Sequence, residues 1–225
     1  MNPLSPWVGM PILGFALGGL LRWVIVRSPS WVITDNNEAF PLSNAHWLPV
    51  AGANALLWWI CANQWQAWSS AWPWAVFASL LLALAWIDWQ TTLLPDILTL
   101  GLMSGGLIAS AQAWIDTALD QSLIGASLGY GCLWITAFVF ERITGKVGMG
   151  GGDFKLLAAL GAWLGPWALM PLLFMASTAG AVVGLLLQRR DALRDGYLPF
   201  GPFLALAGAV MAHSGPTVWQ WLPGA

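Results

Sequence analysis

The chain has 225 residues, of which 58% are hydrophobic and only 8% charged, with a mean hydropathy of +0.69 and a formal net charge of −2. That composition excludes an ordinary soluble enzyme and points to a polytopic membrane protein. A helical span takes about 20 residues, so seven or eight spans would use most of the chain and leave little for a soluble domain.

In chain order, apolar segments near 7–27, 47–65, 72–88, 96–114, 121–141, 153–168, 170–188 and 199–217 read as spans. The expected fold is all-α: a polytopic transmembrane helix bundle of about eight spans, with its N-terminus outside. Residues 1–225 form one integral membrane domain. The first segment lacks a basic stretch before it and carries Arg22 and Arg27 after it. It reads as a first span and not as a cleaved signal peptide. The sixth segment is short and is interrupted by Gly161, Gly165 and Pro166.

The eight basic residues are Arg22, Arg27, Arg142, Lys146, Lys155, Arg189, Arg190 and Arg194. On this topology all fall at or near cytoplasmic ends, as the positive-inside rule requires. Asp116 and Asp120 fall in an outer loop. Trp65, Trp68, Trp72 and Trp74 crowd one outer turn, and Trp114, Trp163, Trp167, Trp219 and Trp221 fall at other outer ends. Indoles favour the interface, where the ring is apolar and the N–H meets water. Segment 28–46, with Asp35, Asn36, Asn37 and Glu38, is a short polar cytoplasmic loop, amphipathic or irregular. Gly125-x3-Gly129 and Gly180-x3-Gly184 are spacings that let helices approach closely.

Three carboxylates converge on this topology. Asp88 ends the third span, Asp96 opens the fourth after Pro95, and Asp153 opens the sixth. A carboxylate at the edge of hydrocarbon is costly and is rarely placed there without use. Two held close cannot both ionise cheaply, so one proton is shared. The ionised member can activate water while the neutral one polarises a peptide carbonyl. Asp88 and Asp153 are the candidate pair. Asp96 suits capping of the next helix or support of the pair. Lys155 offers Asp153 an ion-pair partner. Gly150, Gly151 and Gly152 permit positive φ and close backbone approach beside Asp153. A phosphate loop is excluded, because no Lys-Ser/Thr pair follows the glycines.

Metal sites are not expected. His46 and His213 fall near opposite faces, and the only cysteines, Cys61 and Cys132, lie inside apolar stretches where both read as buried small hydrophobes. A proton- or cation-coupled transporter could use the same aspartates. It would place them near the middle of the bilayer and show repeated spans, and no repeat is visible.

Two runs carry a family resemblance. Ile87-Asp88-Trp89-Gln90-Thr91-Thr92-Leu93-Leu94-Pro95-Asp96 resembles the first-aspartate motif of bacterial type IV prepilin peptidases. Gly148-Met149-Gly150-Gly151-Gly152-Asp153-Phe154-Lys155 resembles their second, the GxGD motif. Gly161-Ala162-Trp163 and the segment Pro199-Phe200-Gly201-Pro202-Phe203-Leu204-Ala205 are similar to further family segments, so the resemblance covers about 80–210. It implies an aspartic endopeptidase of the bacterial cytoplasmic membrane, with Asp88 and Asp153 as the catalytic pair at the cytoplasmic face. Asp96, Pro95, Gly150, Gly152 and Lys155 would support them. The implied partners are prepilins or type II secretion pseudopilins, from which a short basic leader is cut, together with the lipid bilayer. No nucleic acid is implied, and no oligomeric state follows. Proteolysis needs no cofactor. Many members also methylate the new amine with S-adenosylmethionine, and many carry two CxxC pairs that bind zinc in the first cytoplasmic loop. Here 28–46 contains no cysteine.

Overall fold

The computed structural model describes residues 6–27, 47–65, 67–145, 149–188 and 198–214. The expectations for segment 28–46, His46, Lys146, Gly148, Arg189, Arg190, Arg194, Trp219 and Trp221 lie outside these residues. Among the described residues the chain forms eight α-helices and no strand: α1 (Pro6–Arg27), α2 (Trp47–Trp65), α3 (Trp68–Thr91), α4 (Asp96–Ala111), α5 (Leu119–Thr144), α6 (Gly151–Leu164), α7 (Leu169–Gln188) and α8 (Gly201–Ser214). A short 3₁₀ turn, Pro166–Ala168, joins α6 to α7. The protein is an all-α membrane helix bundle.

Eight helices stand where eight spans were expected, but they are not equivalent. Pro6–Ile25, Trp68–Thr91, Leu119–Thr144 and Pro166–Gln188 are long and apolar enough to cross a membrane. The helices α4, α6 and α8 have only 16, 14 and 14 residues. At 1.5 Å per residue, 14 residues reach about 21 Å, less than the roughly 30 Å of a hydrocarbon core. The sequence of α6 is apolar for a different reason. Phe154, Leu156, Leu157, Ala158, Ala159, Leu160, Gly161, Ala162 and Trp163 are all buried, so the helix is enclosed by protein on nearly every side.

Small residues make that enclosure possible. A Cβ on Gly125 of α5 would lie 2.2 Å from the carbonyl oxygen of Gly161, and one on Gly129 would lie 2.6 Å from that of Leu157. The α5 and α6 backbones therefore touch directly. The Gly180–Gly184 spacing is looser, since there a Cβ would meet side chains and no backbone, Phe203 at 3.5 Å and Phe200 at 3.9 Å from Gly180 and Leu198 at 3.3 Å from Gly184. On the other side of the bundle, buried Asn54 donates to the Gly14 carbonyl at 2.7 Å and accepts from the Ser79 hydroxyl at 2.7 Å. The Trp58 indole N–H donates to the same hydroxyl at 2.8 Å. This network ties α1, α2 and α3 together inside an apolar medium, where its atoms would otherwise lack partners.

Two tryptophans expected at the interface are in the core. Trp74 and Trp163 are buried, with ring centroids 5.6 Å apart, and Phe77 completes the cluster 4.9 Å from Trp163. The Trp163 N–H donates to the Leu102 carbonyl at 2.8 Å. With its donor satisfied internally, that ring has no need of the water that holds other indoles at the surface. Trp72 and Trp114 remain exposed and pack edge to face at 4.7 Å. The cysteines also divide: Cys61 is buried as expected, but Cys132 is exposed on α5, among many exposed apolar side chains.

Candidate active site

One helix end, that of α3, and three helix starts, those of α4, α6 and α8, meet around Asp88. The helix α3 stops at Thr91, because Thr92 adopts the left-handed conformation (φ 54°) and its N–H donates to the Asp88 carbonyl at 2.8 Å. A β-branched residue is rare at that φ, at a cost of order 1–3 kcal/mol. Pro95 then forces an extended approach on Leu94 and pre-sets the start of α4 at Asp96. Across from this turn, Gly150 enters α6 with extended backbone, and Asp153 lies in the first helical turn. A carboxylate is favoured there by the helix dipole.

The structure brings the sequence-derived residues together at one end of the bundle. Asp88 is buried, only 4% exposed, and accepts a hydrogen bond from the Gly201 N–H at 2.9 Å. Asp153 is half-buried, and Gly152 beside it lies against Leu94, in the turn that follows Asp88. The Asp153 carboxylate has no hydrogen-bond partner among the described residues. Asp96 and Lys155 form an ion pair at 2.5 Å, with side chains 61% and 31% exposed. Lys155 thus serves Asp96 and not Asp153. Positions two apart on a helix do not share a face, whereas the first turns of α4 and α6 lie side by side. Asp96 does not cap α4 with its side chain, because Pro95 is the cap residue and makes no side-chain bond.

The glycines work differently from the expectation. Gly150 has φ −75°, and the positive-φ glycines among the described residues are Gly145 and Gly165. At Gly152 close approach is what matters: an added Cβ would lie 2.7 Å from the Cβ of Leu94. The turn that follows Asp88 is therefore pressed against the helix start that carries Asp153. Gly201 is the contact that residue-by-residue reading missed. Its signal was present in the Pro199–Ala205 run, where a glycine sits beside a proline at a helix start.

Residues 75–185 match the model of the type IV leader peptidase family. The chain is 38% identical over 215 residues to the prepilin leader peptidase/N-methyltransferase of Pseudomonas aeruginosa, covering 92% of this chain and 67% of that protein. The chain belongs to the type IV leader peptidase family. It is also 44% identical over 154 residues to the protein of that name from Aeromonas hydrophila, covering 66% of this chain and 53% of the relative. With the Xanthomonas campestris pv. campestris protein it shares 46% over 139 residues, or 60% and 47%. The chain thus spans between about half and two thirds of the length of these leader peptidases. No solved structure matches.

The Asp96–Lys155 pair is the solvent-exposed part of this cluster. An exposed ion pair is worth about 1 kcal/mol at most. Asp96→Asn is therefore expected to lower the rate of leader cleavage by less than about fivefold. A complete loss in a cleavage assay would move Asp96 into the catalytic centre.

Proposed function

We propose that the chain is an intramembrane aspartic endopeptidase of the bacterial cytoplasmic membrane that removes the basic leader from type IV prepilins or type II secretion pseudopilins. The observation that carries this reading is the contact of Leu94, in the turn after Asp88, with Gly152, beside Asp153, which brings the two aspartate motifs to one end of the bundle in a family named for leader cleavage. One carboxylate takes a proton from water and the other polarises the scissile carbonyl. The positive-inside rule sets this end toward the cytoplasm, since Arg22, Arg142 and Lys155 lie toward it. A prepilin would enter the bilayer beside the bundle with its leader left in the cytoplasm. Its scissile bond then falls at the depth of the carboxylates. Their position at one end argues against a transport pathway through the bilayer centre.

Methyl transfer appears in the relatives' names and would draw on S-adenosylmethionine. The cavity of about 300 Å³ formed by Leu82, Ala85, Trp86, Trp89, Gln90 and Pro202, beside Asp88, does not fit that molecule. Gln90 alone supplies a polar side-chain end beyond the indoles, too little for a ribose, an adenine and a sulfonium.

The decisive experiment is co-expression with a candidate prepilin, followed by the mass of the product. Loss of the leader mass is expected, and an unprocessed substrate in the presence of well-expressed wild-type protein overturns the reading. A second expected result concerns zinc. The chain has two cysteines, on different helices, and none in 28–46. Elemental analysis of the purified protein should find well under one zinc per chain. A stoichiometric ion would show a site built from other ligands.

A further inference from the structure

The first turn of α8 allows a full accounting of its backbone donors. Helix starts leave N–H groups without partners inside the helix, and each must go somewhere. Pro202 has none. The N–H groups of Phe203 and Leu204 turn back to the Phe200 carbonyl at 3.1 and 3.2 Å. The Gly201 N–H goes instead to Oδ2 of Asp88 at 2.9 Å, across 113 positions of sequence. Asp88 lies at the end of α3, and nothing in its own helix supplies that bond.

The approach is possible only for glycine. A Cβ at position 201 would sit 2.6 Å from Asp88 Oδ2 and 3.0 Å from its Cγ. Gly201 is itself buried, so the backbone cannot retreat toward lipid or water without unpacking α8. The contact also makes the carboxylate two-sided. Oδ2 is held by the peptide N–H, while Oδ1 has no hydrogen-bond partner among the described residues and is not sealed from its surroundings. One oxygen is fixed and the other is presented.

We infer that Gly201 is a positioning residue for Asp88: the N-terminus of α8 clamps one carboxylate oxygen so that the other faces the attacking water. This rests on the peptidase reading above and adds a third element, the Pro199–Ala205 segment, to a centre otherwise built from the two aspartate motifs. A donated N–H is a short, charge-assisted restraint on a carboxylate. Catalytic groups displaced by about 1 Å lose on the order of a hundredfold in rate.

Gly208 supplies the comparison. It lies on the same helix, and a Cβ there would be equally crowded, 2.4 Å from Leu160 Cδ2, but among apolar groups away from Asp88. Gly201→Ala and Gly208→Ala would be assayed with a prepilin at varied concentration, in protein shown to be membrane-inserted. Gly201→Ala is expected to lower kcat on the order of a hundredfold with KM changed less than about twofold, while Gly208→Ala keeps kcat within about threefold. Equal losses in the two variants, or a change in KM alone, would reduce Gly201 to a packing residue and overturn the inference. A second readout is independent of activity. In protein labelled with ¹⁵N-glycine, the amide resonance absent from Gly201→Ala should shift on Asp88→Asn, because its acceptor loses charge. An unmoved resonance overturns the hydrogen bond. If wild-type protein cleaves no prepilin, the peptidase reading fails, and the resonance still decides whether Gly201 holds Asp88.

Discussion

Asp88→Asn and Asp153→Asn are each expected to reduce leader cleavage by at least about a thousandfold while leaving the protein folded in the membrane. Asparagine keeps the shape of the side chain and can still accept the Gly201 N–H at position 88. It cannot take a proton from water, and it cannot share one with a neighbouring carboxylate. Two carboxylates divide the work of activating water and polarising the carbonyl, so removal of either leaves the other without a complementary partner. The measurement is single-turnover cleavage of a purified prepilin in detergent or lipid. Activity within tenfold of wild type in either variant would sink the assignment of the pair.

The second large effect is expected at Gly152. Its Cα lies against Leu94, and an added methyl would come within 2.7 Å of the Leu94 Cβ, an atom fixed to the backbone. Gly152→Ala must therefore push the turn after α3 away from the start of α6. Those are the segments that carry Asp88 and Asp153. A loss of more than about tenfold in cleavage is expected, for the same geometric reason that small misplacements cost catalysis. Gly151→Ala is the control, because a Cβ there meets nothing within 4 Å. It should retain most of its activity. Equal tolerance at both positions would show that the contact with Leu94 does not register the two carboxylates.

These two glycines show where sequence reading ends. The helices themselves were legible, because apolar length, Pro95, Pro166 and the glycine run are local signals. The common depth of Asp88 and Asp153 was legible too, since counting spans gives it directly. What was hidden depends on which helices pack together. Gly152 was read as allowing close approach, but that its neighbour is Leu94 could not be read from the run. Lys155 looked like a partner for Asp153, yet it faces Asp96 across the α4–α6 contact. Trp163 looked like an interface anchor, but its N–H finds the Leu102 carbonyl inside the bundle. Such pairings lie 58 to 61 positions apart or more, beyond any local pattern.

The enclosure of α6 has a consequence for how the molecule is made. A helix of 14 residues with nine of them buried has little to gain from lipid on its own. It becomes favourable only once α4, α5 and α8 are present to wrap it, and α8 leaves the ribosome after all of its neighbours in that packing. The Gly201 N–H arrives with that same late segment. Asp153 and the clamp on Asp88 thus come into place only after α8 has packed. A chain in which α8 has not yet packed carries Asp88 without the Gly201 N–H that holds it.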